Sequence, residues 1–332
     1  MRIVQLRSGA DRRVALVEEP YLRLLDGVDS VYPLAMEAIA RGESLTALVR
    51  SRAAGAVLAY DPIHAGVSEW SLLPAADHPA EAARCLVTGT GLTHLGSATD
   101  RQKMHHTPAE ELTDSMKMFR WGVEAGRPEP GCVGVAPEWF YKGSGTILRA
   151  HGEPLLVPEY AEDGGEEAEV AGIYLVGPNG TPWRVGMATG NEFSDHRFEK
   201  RNYLNLAGSK LRTCSIGPEL VIDPDFGSVP GRVSIERGGA VLWEKEIRTG
   251  EEEMCHSLRN IEHHHFKFEA HRRPGDLHVH FFGAHSLSFG EGLQLSDGDV
   301  MVARFDGFGR PLRNPVQVAA STRAPVSVHP LR

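Results

Sequence analysis

The stretch Asp163-Gly164-Gly165-Glu166-Glu167-Ala168-Glu169-Val170-Ala171-Gly172-Ile173-Tyr174-Leu175-Val176 runs acidic residues directly into an apolar strand. On a strand, residues i and i+2 point to one side, so Glu167 and Glu169 present two carboxylates to one point. Clustered carboxylates repel unless a proton or a cation lies between them. A hard divalent cation suits such a pair, because Mg2+ takes oxygen ligands at about 2.0–2.1 Å. Taken alone, the motif also reads as a solvated acidic turn ahead of a strand.

Two later stretches change that balance. Gly190-Asn191-Glu192-Phe193-Ser194-Asp195-His196 follows an expected strand at Trp183–Met187 and adds a third carboxylate, Glu192, about one hairpin on. The stretch from Gly208 to Pro218 embeds Lys210 among small residues ahead of Gly217-Pro218. Near a bound cation and away from water, a lysine can lose its proton and act as a base.

Around these motifs, short apolar runs alternate with turn residues, without repeats or low-complexity blocks. Residues 1–80 form a separate unit. Ile3–Leu6 and Val14–Val17 read as strands. Asp29-Ser30 caps a helix through Val31, Leu34, Ala35, Ala38 and Ile39 that stops at Gly42, and a second helix covers Leu45, Leu48 and Val49. Leu73–Pro79 reads as a linker. Beyond Cys85 helical spacing is confined to Asp114–Glu124 and Met254–Phe268, and Leu277–Phe282 and Val300–Ala303 read as strands. The expectation is an α+β chain, mainly β: a small N-terminal α/β domain over 1–80, then a catalytic domain over 81–332 with a mixed, mainly antiparallel core.

Composition narrows the function. The 332 residues carry 35 Lys and Arg against 44 Asp and Glu, a net charge of −9. That charge repels a phosphate backbone, and no run of Lys or Arg offsets it, so nucleic acid is not an expected partner. No apolar run reaches the roughly 18 residues of a membrane span. Cys85, Cys132, Cys214 and Cys255 form no CxxC and read as reduced core thiols. The N-terminus reads as a strand without the apolar region of a signal peptide, so the cytoplasm is the expected location. His278 and His280 share a strand face with His285 soon after, an alternative transition-metal set. The carboxylates are the more complete donor group and fit a hard ion better. His263, His264 and His265 are adjacent on a helix, about 100° apart, and cannot all hold one ion.

In order along the chain, these motifs resemble the fumarylacetoacetate hydrolase superfamily over roughly residues 85–320. Glu167-Ala168-Glu169 is similar to its Glu-x-Glu metal pair. Asn191-Glu192-Phe193-Ser194 is similar to its Asn-Asp-x-Ser segment, with Glu replacing Asp. Lys210 before Gly217-Pro218, Phe140-Tyr141-Lys142, Gly298-Asp299-Val300 and Leu312-Arg313-Asn314-Pro315 match further family elements. The resemblance implies a rolled mixed β-sheet, a homodimer or dimer of dimers, and Mg2+, or Mn2+, held by Glu167, Glu169 and Glu192.

The departures point to one branch. Where the family's carbon–carbon hydrolases carry a water-activating His–Glu dyad, this chain has Ser97 and Asp100, and an unassisted serine is a poor base. His196 ends the altered Ser194-Asp195-His196, and His285 ends the altered Phe282-Gly283-Ala284-His285. The strings Val87–His94, Pro137–Gly143 and Glu262–Phe266 resemble the 2-keto-3-deoxypentonate dehydratases. That branch implies a five-carbon 2-keto-3-deoxy sugar acid as substrate and 2,5-dioxopentanoate as product. Lys210 is the first choice for the base at C3. His94, Ser97 or a bound water would assist the leaving C4 hydroxyl. Lys142, Asp100, His196 and His285 would contact substrate, with Lys142 alternatively positioning the metal shell. The other readings are a C–C hydrolase or decarboxylase of an acylpyruvate or diketo acid, and a catalytically silent sugar-acid binder.

Overall fold

A computed structural model describes residues 1–104, 112–320 and 325–331, with the side chains of 100–104 left out. Among the described residues the strands form a 13-stranded sheet and a 5-stranded sheet. The chain is α+β and mainly β, as expected. No helix is long and apolar enough to cross a membrane.

The centre of the large sheet is the hairpin Ala168–Val176 and Pro182–Asn191, paired antiparallel with Glu169 opposite Gly190 and Ala171 opposite Ala188. Every residue of Ala168–Val176 is buried. An unbroken apolar run suits a strand covered on both faces. Its other neighbour is Leu277–Phe281, antiparallel, which in turn pairs parallel with Cys85–Gly89. Ala171, Ile173, Leu175, Val279 and Phe281 share one core with Val31, Leu34, Ala35 and Ala38 of the N-terminal helix. Val170, Tyr174 and Phe282 face the opposite way, toward Ile261, Phe266 and Phe305. Burying each such side chain contributes about 1.5–3 kcal/mol.

The helix Val31–Arg41 begins where Ser30 accepts a hydrogen bond from Tyr32 N–H, and Gly42 ends it in the left-handed conformation at φ 64°. Arg2–Ser8 pairs with Leu220–Val221, so the first residues extend the large sheet. The stretch Leu73–Pro79 is irregular after a short strand end, yet Ala75 and Ala76 are fully buried and Ala75 N–H donates to the Ile216 carbonyl. The helix expected over Met254–Phe268 starts only at Leu258, because the Ser257 hydroxyl accepts from Asn260 N–H and caps it there. Met254 fills the core from a turn instead.

Histidines behind the sheet form a directed chain. Trp139 Nε1 can only donate, and it donates to His265 Nδ1 at 3.3 Å. A neutral His265 then carries its proton on Nε2 and donates to His278 Nδ1 at 2.9 Å. Burial and the neighbouring imidazoles push His278 and His280 down to about 3. The unfolded chain therefore takes up these protons from about pH 6.5 downward, while the native protein refuses them. Stability from these groups is present above that range and is lost as pH falls toward 3, at about 1 kcal/mol per histidine per pH unit. His280 lies between Thr88 Oγ1 and Thr90 Oγ1, both at 2.8 Å, a place that a glutamine can fill. His280→Gln is expected to flatten the pH dependence of urea unfolding between pH 6 and 4 by about that amount; parallel curves would contradict the assignment.

Candidate metal centre

Glu167 lies just ahead of the Ala168–Val176 strand and Glu192 just beyond Pro182–Asn191. The ladder continues past both ends: Glu192 N–H donates to the Glu167 carbonyl at 2.9 Å, and Gly165 pairs with Ser194. Glu167 and Glu192 are thereby held opposite each other, with Glu169 beside them. Each of the three offers an oxygen, and these oxygens lie within 4.8 Å of one another. Glu167, Glu169 and Glu192 are 4%, 1% and 0% exposed, which excludes a solvated acidic turn. Among the described residues they are the one group of three or more His, Cys, Asp or Glu side chains close enough to hold a metal ion. His278 and His280 belong to the histidine chain behind the sheet and, among the described residues, do not come together with His285 as a transition-metal set.

Two buried ammonium groups face this cluster. Lys210 Nζ donates to Glu167 Oε1 at 2.6 Å, to Glu192 Oε2 at 2.5 Å and to Ser194 Oγ at 2.9 Å. It also sits 4.6 Å from the centroid of the Phe140 ring. Lys142 Nζ meets Glu192 Oε1 and the carbonyls of Glu192, Phe193 and Lys210. An ammonium has three N–H groups, so Lys142 has none left for a substrate. It holds Glu192 in place beside the other two carboxylates.

Among the described residues no cation hydrogen-bonds Glu169. Its one partner is Gly283 N–H, at 2.6 Å. Burial, then Glu192 and Glu167, raise Glu169 well above the usual carboxylate range. Burial and Glu167 also raise Glu192, against the pull of Lys142 and Lys210. Lys210 offsets the rise at Glu169 only in part and does not bond it, and a buried carboxylate beside two more is unfavourable in its charged form. An oxygen donor set of this kind fits a hard divalent ion.

Gly283 adopts φ 97°, and a Cβ on it would lie 2.0 Å from Thr93 Oγ1. Gly283→Ala is therefore expected to cost roughly 3 kcal/mol in urea unfolding and to weaken divalent-ion binding by displacing the donor to Glu169. Unchanged stability and affinity would contradict this account.

The other expected site residues fall as follows. His196 is buried, and its Nε2 lies 3.0 Å from Glu167 Oε1. Burial alone would lower its pKa, yet Glu167 and Asp163 raise it, so its Nε2–H donates to Glu167. It orients the Glu167 carboxylate. Thr93 Oγ1 donates to the Phe282 carbonyl at 2.7 Å, so it must accept from His94 Nδ1–H at 2.8 Å. His94 Nε2 then accepts from Thr249 Oγ1 at 3.1 Å. Burial and His285 push His94 down to about 3. Both its ring nitrogens are occupied and it stays neutral, which removes it as a ready acid. Ser97 Oγ donates to the His94 carbonyl at 3.1 Å. His285 is half-buried, with its ring 6.0 Å from that of His94. Asp100 lies outside the described side chains.

Sequence reasoning missed the roles of Ser194, Gly283 and Glu166. Ser194 stood inside the quoted Asn-Glu-Phe-Ser motif. Glu166 accepts from Ser288 N–H and Ser288 Oγ, both at 2.7 Å. The loop from Gly283 to Ser288 is thus pinned at both ends by acids of the stretch that opens the centre, a tie that no sequence spacing reveals.

Comparison with known proteins is consistent with this architecture. A 2-keto-3-deoxy-D-arabinonate dehydratase in its apo form superposes with a TM-score of 0.71 at 18% identity, over 97% of this chain and 100% of that one. A structure of 2-keto-3-deoxy-D-arabinonate dehydratase complexed with magnesium and 2,5-dioxopentanoate gives 0.70 at 18% identity, over 96% and 99%. A 5-carboxymethyl-2-hydroxymuconate delta-isomerase from Mycobacterium smegmatis gives 0.57 at 16% identity, over 97% and 100%. No family model matches the sequence, and the search of the curated proteins finds no match. The chain has the fold of the 2-keto-3-deoxy-D-arabinonate dehydratase structures, the branch that its motifs resemble.

Proposed function

We propose that this chain is a Mg2+-dependent hydro-lyase that converts a 2-keto-3-deoxypentonate into 2,5-dioxopentanoate, a step of non-phosphorylating pentose breakdown. The observation that carries the reading is the buried triad Glu167, Glu169 and Glu192 with Lys210 inserted among its carboxylates. A dehydratase of the same fold was solved with magnesium and 2,5-dioxopentanoate, which supports both the ion and the product. In the same reading the sheets are the rolled core of the fumarylacetoacetate hydrolase fold, residues 1–80 are its small N-terminal domain, and the enzyme is a cytoplasmic homodimer or dimer of dimers.

Glu167, Glu169 and Glu192 would hold the cation, which polarises the carboxylate and 2-keto oxygen of a bound keto acid. The chain's own groups do the rest. Lys210, as the neutral amine, takes the C3 proton on Nζ, and the C4 hydroxyl leaves as water after receiving a proton from Ser97 or a bound water. A proton then moves from C5 to C3, and the resulting enol settles as the C5 aldehyde. Lys142 keeps Glu192 in place and His196 keeps Glu167 in place. Phe140, buried with its ring against Lys210 Nζ, keeps water from the lysine.

The hydrolase reading needs a side chain that activates water. His94 is locked by Thr93 and Thr249, and Ser97 stands at the dyad position, so the dehydratase is the better fit. Supplying both C4 enantiomers of 2-keto-3-deoxypentonate, with and without EDTA, tests it. One enantiomer is expected to give 2,5-dioxopentanoate only in the absence of EDTA. Pyruvate release from an acylpyruvate, with neither pentonate consumed, would replace it by the hydrolase.

A further inference from the structure

On the outer face of the 5-stranded sheet lies a cavity of about 640 Å³ that the proposed reaction does not use. Its walls carry Arg232, Arg248 and Arg304 from three neighbouring strands, against Glu246 and Asp306, with His285 at one edge. Pro230 and Gly231 give it a floor without long side chains. The arginines are far apart in sequence, and only the sheet register gathers them. Arg232 stands directly opposite Arg304 in one strand pair and opposite Glu246 in the other, and Arg248 stands opposite Pro230.

Like charges directly opposite across a ladder are unfavourable. Of the three, only Arg232 is relieved by ion pairs with described residues. Arg232 reaches Glu244 and Glu246 only at 3.3 Å. Arg248 and Arg304 are exposed and form no ion pair with a described residue. A guanidinium presents a planar fork matched to carboxylate and phosphate oxygens. We propose that this depression binds a small molecule bearing two or more anionic groups, carboxylate or phosphate, gripped by Arg232 and Arg304 with Arg248 at the rim.

The site lies next to the loop that serves the carboxylate centre. His285 belongs to the Gly283–Ser288 loop, whose ends are tied to Glu169 and Glu166. An occupant touching His285 therefore bears on the donor that holds Glu169. Any effect on ion affinity is reciprocal, so the ion alters the anion's affinity by the same factor. The proposal holds whether or not the chain is a dehydratase.

Calorimetric titration of the Mg2+-loaded full chain tests it, with tricarballylate as the polycarboxylate probe and inorganic phosphate as the other. At least one probe is expected to saturate. Arg232→Gln and Arg304→Gln should each weaken it about tenfold, as should raising salt from about 20 to 200 mM. Arg50→Gln, on an exposed face of the helix Leu45–Arg52, should bind as the parent does, and Glu167→Gln should still saturate, its affinity shifted by no more than the coupling to the ion. The probe that binds more tightly identifies the anion class. The proposal is overturned if neither probe saturates or if both cavity variants bind like the parent. It is equally overturned if binding vanishes in Glu167→Gln, because the anion then sits at the carboxylate centre.

Discussion

Glu169→Gln is expected to abolish divalent-ion-dependent turnover while leaving the metal-free chain at least as stable as the parent. Glu169 is 1% exposed, is hydrogen-bonded by no cation among the described residues, and is raised well above the usual carboxylate range by burial and by Glu192 and Glu167. An amide of the same shape still accepts from Gly283 N–H and carries no charge to bury. Replacing a buried carboxyl that has to take up a proton in the metal-free chain is neutral or stabilising, whereas removing a metal ligand is not. The ion's affinity should fall at least about 100-fold, and turnover with it. Thermal unfolding without metal and titration with Mn2+ separate the two effects. A variant that is destabilised and binds the ion normally would show that Glu169 serves the fold alone.

Lys210→Met should have the second large effect, with the opposite signature. Positioned proton transfer contributes about 10²–10⁴-fold, so kcat should fall at least about 1000-fold once the lysine's contribution to substrate placement is included. Ion affinity should stay within about tenfold, because the three carboxylates remain. The metal-free variant should be less stable, because Glu167 and Glu192 lose the ammonium that lies at 2.6 and 2.5 Å from them. Lys210→Arg keeps the charge but holds its proton too firmly to act as a base. It should restore stability without activity. Turnover by either variant at parental rate would remove Lys210 from the chemistry.

The carboxylate triad was legible because it rests on local rules: strand alternation for Glu167 and Glu169, and a hairpin's reach for Glu192. The cap at Ser30 and the stop at Gly42 were legible for the same reason. What failed to show was tertiary. Lys142 reads like a substrate lysine in Phe140-Tyr141-Lys142, but three carbonyls and Glu192 converge on it only in the folded chain. His94 reads as a free acid in the sequence, but its tautomer is fixed by its neighbour Thr93, which the distant Phe282 carbonyl orients, and by the distant Thr249. The helix at 254–268 was drawn too long because Met254 has the right spacing for a helix face, and spacing cannot tell a helix from a turn that fills the same core. The arginine cavity left no trace in sequence, since its members meet only through strand register.

Anomalous diffraction from crystals soaked in Mn2+ and pyruvate tests the central claim most directly. The account predicts one ion contacted by Glu167, Glu169 and Glu192, with pyruvate oxygens on its open side and Lys210 Nζ facing the methyl carbon. An ion bound elsewhere, or no ion with Lys210 still bridging Glu167 and Glu192 at saturating Mn2+, would contradict it.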